Sequence, residues 1–281
     1  MSSFKTLVVA GAAAGLTAAA AQAADLAPAP IFQPPVPVAQ DFSGWYLRGN
    51  IGMTNQSVKS LSLQPLPASF AGETITTPFL SFESSPLASL GIGYQINHWL
   101  RVDGTAEYRA AAYFHGQQVE SQGAVTLPDD YTASKSEWLF LANAYVDLGT
   151  WWCITPFIGA GIGTSRNTIS NFMDTGASTS GTGGQAILST TYFDTASKWN
   201  FAWALYAGLS YQVTPAFNVE LTYRYVDLGS ATTGTPHAFD GTPIPTSPFV
   251  FKDITSSDFM LGLRWKLGEP IAPLPPIVRK G

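Results

Sequence analysis

Charge is scarce in this 281-residue chain: Asp, Glu, Lys and Arg together make 12% of it, about half the share of an ordinary soluble domain. The 14 basic residues are outnumbered by 19 acidic ones and form no cluster, so the electrostatic footprint of a nucleic-acid binder is missing. A single cysteine, Cys153, excludes any intrachain disulfide. Its plainest reading is a small hydrophobe beside a turn. Only three histidines are present, His98, His115 and His237. No cysteine cluster, phosphate-cradling glycine motif or metal-spaced carboxylate set accompanies them, so no cofactor and no metal are expected. Long apolar runs are lacking as well. Beyond the N-terminal region no segment reaches the roughly 18 consecutive apolar residues of a membrane-spanning helix.

The N-terminal region has its own pattern. Met1 to Lys5 is short and weakly positive, Thr6 to Ala21 is small and apolar, and Ala21-Gln22-Ala23 closes it. A charged start, an apolar centre and an Ala-x-Ala exit predict an export signal over residues 1–23. Its removal takes Lys5 with it and leaves a net charge of 13 minus 19, or −6. Residues 24–42 follow as a proline-rich linker, with five prolines among the 11 residues Ala27 to Pro37, a composition that favours extended polyproline. A second proline-rich piece, residues 268–281, ends the chain.

Between them, residues 43–267 carry eight segments with a period of two, the signature of strands with one apolar face. They lie at about 44–57, 86–96, 98–114, 137–148, 154–167, 198–213, 217–228 and 257–267. On the first, Trp45, Leu47, Ile51 and Met53 oppose Tyr46, Arg48 and Asn50. On the third, Leu100, Val102, Ala106, Tyr108 and Phe114 oppose Arg101, Asp103, Glu107 and Arg109. On the last, Phe259, Leu261, Leu263 and Trp265 oppose Asp258, Arg264 and Lys266. Short connections follow the second, fourth and sixth segments. Connections of roughly 20 to 30 residues, rich in Ser, Thr, Gly and Pro, follow the first, third, fifth and seventh. Such alternation is the pattern of an up-and-down transmembrane barrel with turns in the periplasm and loops outside. The fold class expected is therefore all-β: an eight-stranded antiparallel up-and-down transmembrane β-barrel with both termini periplasmic.

The same alternation would suit a soluble barrel with its faces exchanged. Aromatics near strand ends on the apolar face, namely Trp45, Trp99, Trp138, Tyr211 and Trp265, match the girdle of a membrane barrel instead. The charged face would then point inward: Arg48, Arg101, Asp103, Glu107, Arg109, Asp147, Glu220, Arg224, Arg264 and Lys266. Eight strands leave an interior just wide enough for side chains to fill. Six cations and four anions in that space must neutralise one another. A salt-bridged plug is expected, with Glu107, Glu220, Arg109 and Arg224 near mid-height, in preference to an open ion pathway.

Three stretches, Gly44-Trp45-Tyr46-Leu47-Arg48-Gly49, Thr155 to Gly163 and Glu220 to Gly229, resemble the small opacity-type and OmpA-like outer-membrane barrels. Ala24-Asp25-Leu26 with the prolines after it resembles the alphaproteobacterial branch of that family. The resemblance covers roughly Ser43 to Leu267. It implies a surface antigen or envelope-stabilising protein rather than an enzyme. Its partners would be outer-membrane lipid and lipopolysaccharide, the barrel-assembly machinery, and host or surface ligands met through the loops. One departure stands out: barrels of this family end on an aromatic residue, whereas Trp265-Lys266-Leu267 here runs on into the tail. Small enzymes built on such barrels need a base at the outer rim. His98 falls in a turn at the wrong end, and His115 and His237, expected in outer loops, lack a partner motif. The weaker functional reading is a small porin or ion-conducting channel.

Overall fold

In the computed structural model the described residues are 43–66, 74–122, 125–179 and 186–268. The expected export signal, the proline-rich linker and all but Gly268 of the tail lie outside them. Eleven strands are present among the described residues: β1 (Gly44–Leu63), β2 (Thr74–Phe82), β3 (Ser85–Gln95), β4 (Leu100–Gln122), β5 (Val125–Asp147), β6 (Ile154–Thr179), β7 (Ala186–Phe193), β8 (Ala196–Thr214), β9 (Phe217–Thr232), β10 (Pro236–His237) and β11 (Phe249–Leu267). Eight of them close a ring in the order β1-β3-β4-β5-β6-β8-β9-β11, with β11 returning to β1 and every pairing antiparallel. A closed ring leaves no unpaired backbone at the level where it closes, which a strand assembly in lipid requires.

One end carries short turns. In the turn between β5 and β6, Trp151 and Ile154 exchange two 2.9 Å backbone hydrogen bonds. Its two central residues, Trp152 and Cys153, have φ of 48° and 67°, so Cys153 is turn-borne and exposed.

Side-chain alternation sets the height of the apolar belt. On β1 the outward residues run Trp45, Leu47, Ile51, Met53 and then Asn55, Ser57 and Lys59. On β11 they run Trp265, Leu263, Leu261, Phe259 and then Ser257 and Thr255. The change falls at one level, because Met53 pairs with Phe259 and Asn55 with Ser257. From Trp45 to Met53 is nine residues, the length a tilted strand needs to cross a hydrocarbon layer.

Above that level the expectation of long loops is corrected. The strands simply continue: β4 and β5 have 23 residues each and β6 has 26, while β2 and β7 prolong the second and sixth barrel strands. In this distal part the faces are exchanged. Ser, Thr and Asn look outward, and Leu61, Phe82, Phe114, Tyr131, Ile169, Phe172, Phe193, Phe249, Phe251 and Ile254 are buried together. An extension that leaves lipid for water must bury its apolar side chains inside. Phe114, expected outward with Tyr108, is wholly buried. The reason is a bulge between Arg109 and Ala112, which shifts the alternation by one residue and turns every later side chain to the other face. His115, expected in a loop, lies on β4 opposite Ser81.

β9 closes the distal end by bending at Gly229, whose φ is 73°. Beyond this point it loses the ladder with β8 and is held by side chains instead. Ser165 Oγ and Asn167 Nδ2 donate to the Leu228 carbonyl at 2.7 and 2.8 Å, and Asn200 Nδ2 donates to the Ser230 carbonyl at 2.8 Å. A Cβ at Gly229 would stand 2.7 Å from that of Asn200. Left-handed backbone costs a side-chain-bearing residue about 1–2 kcal/mol. Gly229→Ala is therefore expected to lower stability by at least that amount in reversible urea unfolding in micelles, with hydrogen exchange rising first in β9 and β11 above the belt.

Candidate functional site

Inward positions of the ring, fixed by the strand alternation, place twelve buried charged side chains inside. Six are cations (Arg48, Arg101, Arg109, Lys135, Arg224, Arg264) and six are anions (Asp103, Glu107, Glu137, Asp147, Glu220, Asp258) among the described residues. They form two layers.

The layer nearer the short turns centres on Glu220 of β9. Its carboxylate accepts from Arg264 Nε at 2.7 Å, Arg101 Nη1 at 3.1 Å and Arg48 Nη2 at 3.2 Å. Arg48 Nη1 also donates to Asp103 Oδ2 and to the Tyr145 hydroxyl, both at 2.8 Å. Arg101 Nε donates to Asp147 Oδ1 at 3.1 Å. Its guanidinium lies between the Tyr145 and Phe157 rings, 4.6 and 4.5 Å from their centroids, so its faces are covered where its edges are not. Asn143 extends the chain of bonds, donating to Asp103 and accepting from Tyr206.

The second layer lies toward the distal end. Arg224 grips Glu107 with two bonds of 2.5 and 3.0 Å and reaches Asp258 with Nε at 2.9 Å. Arg109 grips Asp258 from the other side at 2.7 and 3.2 Å, and its Nε makes a 2.5 Å charge contact with Glu137. Lys135 pairs with Glu137 and donates to Gln56 at 2.8 Å. Two-pronged guanidinium–carboxylate pairing adds fixed geometry to charge neutralisation. Removing one partner of such a buried set typically costs about 3–5 kcal/mol.

The structure thus brings together nine of the ten residues expected inside. Lys266 is the exception in position: it is only half-buried, and its β1 partner is Tyr46, at the start of that strand. Of the four expected near mid-height, Glu220 pairs within the layer nearer the short turns, and Glu107, Arg109 and Arg224 pair with one another and with Asp258 in the second. Sequence reasoning left out Lys135, Glu137 and Asp258 as members. Their signal was present, since Lys135 and Glu137 continue backward the alternation of Leu139, Leu141 and Asn143. With them counted and the half-buried Lys266 left out, the count becomes six against six, and the excess of cations vanishes.

Directly above lies an aromatic layer with no charge. Phe114 is 4.9 Å from Phe251 and 5.0 Å from Phe82, and Phe172 is 5.0 Å from both Phe193 and Phe249. Lys135 meets it, its ammonium 6.0 Å from the Phe82 ring. Outside the ring, Trp45, Trp99, Tyr211 and Trp265 face outward near the short-turn end, while Trp138 faces outward at the other edge of the belt.

An all-antiparallel closed ring, apolar outside and charge-paired inside, defines a membrane β-barrel. Residues 10–266 match the family described as outer membrane protein beta-barrel domain, and the chain belongs to it. An uncharacterised protein of Brucella abortus is 32% identical over 224 residues, covering 74% of this chain and 75% of its own. Outer membrane protein PagN of Salmonella typhimurium is 30% identical over 126 residues, 45% of this chain and 48% of its own. Among solved structures, Neisserial surface protein A aligns with a TM-score of 0.43 and 16% identity, over 80% of this chain and 98% of the other. The protein is an outer-membrane barrel.

No group of three or more His, Cys, Asp or Glu side chains placed to hold a metal ion occurs among the described residues. Acidic side chains do gather in the distal extension. Burial pushes the Asp174 carboxyl up to about 7, with the Asp129 and Glu120 charges adding to it. Burial, then the charge of Asp130, pushes Asp129 up to about 6. The folded state therefore holds protons that the unfolded chain releases from its ordinary carboxylate value upward. By linkage, stability is greatest below that value and falls as pH rises to about 7. Hydrogen exchange in β5 and β6 above the belt, corrected for intrinsic rates, should be slower at about pH 5 than at about pH 8. Asp174→Asn should flatten most of that difference; an unchanged pH profile in the variant would contradict the assignment.

Proposed function

We propose that this chain is a structural and surface-presenting protein of the outer membrane, with a lumen closed to ions and no catalytic role. The observation that carries the reading is the filled interior, in which two charge-balanced layers are followed by an aromatic layer. A pore needs a continuous water column, and arginines paired on both sides of the lumen leave no room for one in a ring of eight strands. Burying that many charges is tolerable only when each is neutralised, and a hydrated path would weaken each pairing.

In this reading residues 1–23 direct export and are removed. The short turns and both proline-rich ends lie in the periplasm, and the distal extension stands outside the cell. The branch is the opacity-type, alphaproteobacterial one. Phospholipid and lipopolysaccharide contact the belt, Trp45, Trp99, Trp138, Tyr211 and Trp265 mark its two edges, and the barrel-assembly machinery inserts the chain. The extension replaces mobile loops with a rigid β-structure, which suits envelope support and display of a fixed surface. His115 is exposed on a strand face, and His237 lies 3.6 Å from Asp194. His115 has Ser81 and Thr132 as cross-strand neighbours but is hydrogen-bonded to neither, and His237 Nδ1 is bonded to the Ala238 carbonyl, so neither forms the nucleophile–base pair a hydrolase needs.

Purified full-length protein in planar lipid bilayers tests this directly. Insertion without stepwise current is expected. Stable open-channel steps would replace the closed barrel with a small porin.

A further inference from the structure

Several strands of the distal extension have one side without a ladder among the described residues, β2 and β7 among them. β2 pairs only with β4, and its other side carries no ladder. That edge is blunted, since β2 contains Pro78 and its register breaks between Thr76 and Phe79, both devices that discourage further pairing. β7 differs. One side pairs with β6 throughout, while the other meets β10 only at Phe193 and Tyr192. Ala186 to Thr191 has no ladder partner there among the described residues. Its sequence, Ala-Ile-Leu-Ser-Thr-Thr, holds no charge and no proline, and its register with β6 is unbroken.

The flanks of this edge are dressed for contact. Leu188 is 81% exposed and Phe239 is 90% exposed. Phe239 is carried by an ordered turn, in which the Gly241 amide donates to the Ala238 carbonyl and the Thr242 amide to the Asp240 carboxylate. Its ring lies 6.2 Å from that of Tyr192, whose other neighbour is His237 at 6.1 Å. β10 shows how the edge takes a strand, antiparallel and in register, before the chain turns away at Ala238. A strand continuing from there would begin beside Phe239 and the exposed Asp240.

We propose that the β7 edge is a docking site for an extended peptide segment of another protein, added antiparallel as the next strand after β10. The proposal rests on the reading that this end faces outside the cell. Main-chain hydrogen bonds along Ala186–Thr191 supply affinity, alternate apolar side chains of the peptide meet Leu188 and Phe239, and a basic residue at its N-terminal end meets Asp240. A second copy fits poorly. Copies in one membrane are related by rotation about the membrane normal, which leaves both tilted β7 strands rising in the same sense and denies them an antiparallel pairing.

The probe is a synthetic peptide, one lysine followed by alternating valine and threonine, titrated by fluorescence anisotropy against full-length protein in lipid nanodiscs. Saturable binding is expected, weakened roughly tenfold or more by Leu188→Lys, a change at an exposed side chain that leaves heat-modifiable migration intact. N-methylation of alternate peptide amides should abolish it, and Asp240→Asn should weaken the lysine peptide but not its alanine-headed analogue. Absence of saturable binding, or equal binding of the N-methylated peptide, overturns the proposal. Self-association of the wild type that Leu188→Lys abolishes also overturns it, giving the edge to a second copy. Bilayer conductance is indifferent to all of these, so failure here leaves the closed-lumen reading standing.

Discussion

Charges buried in a narrow, water-poor lumen must find opposite charges across that lumen, and this requirement organises the barrel. Glu220 on β9 is reached by arginines from β1, β4 and β11, and Asp258 on β11 by arginines from β4 and β9. Neighbours in these pairs are often far apart in sequence and on opposite walls. Each pairing fixes the rotation of two strands about their own axes, because a shift of one residue would send an arginine into lipid. The belt of apolar residues outside and the pairing inside are thus two consequences of one register.

The aromatic layer depends on the same register and extends it. Above the belt there is no lipid to face, so the apolar set turns inward and the charged set gives way to Phe and Tyr. The bulge in β4 makes the exchange on that strand, and the glycine bend in β9 folds its end over the lumen. Arg109 and Lys135 stand at the junction, the one bound to Asp258 and the other beside Phe82. Closure is therefore achieved twice, by neutralised charge and then by close-packed rings, and the distal strands become a stiff display surface rather than loops.

The ring of eight and its inside and outside were legible in the sequence, because Trp45 to Met53 and Phe259 to Trp265 alternate cleanly over the thickness of a membrane. The distal strands were not. Leu61, Leu63, Phe249 and Phe251 keep the period of two, but their sense is reversed and Ser, Thr and Pro surround them, so composition pointed to loops. Phe114 was misplaced because a bulge leaves no local mark in the residues that form it. Lys135 was passed over because the strand was drawn to begin at Glu137, and Glu137, its first residue, was not counted among the inward charges. Pairing partners such as Arg224 and Glu107, 117 positions apart, follow from ring closure and not from any spacing a single sequence displays.

The claim that cross-lumen pairing holds the barrel together is tested most directly by a double-mutant cycle on that last pair. Unfolding free energies in micelles would be measured for the wild type, Glu107→Gln, Arg224→Met and the double variant. Two-pronged pairing in the lumen predicts a coupling of about 1.5–3 kcal/mol, with the double variant more stable than the sum of the single losses implies. Additivity to within about 0.5 kcal/mol would contradict it.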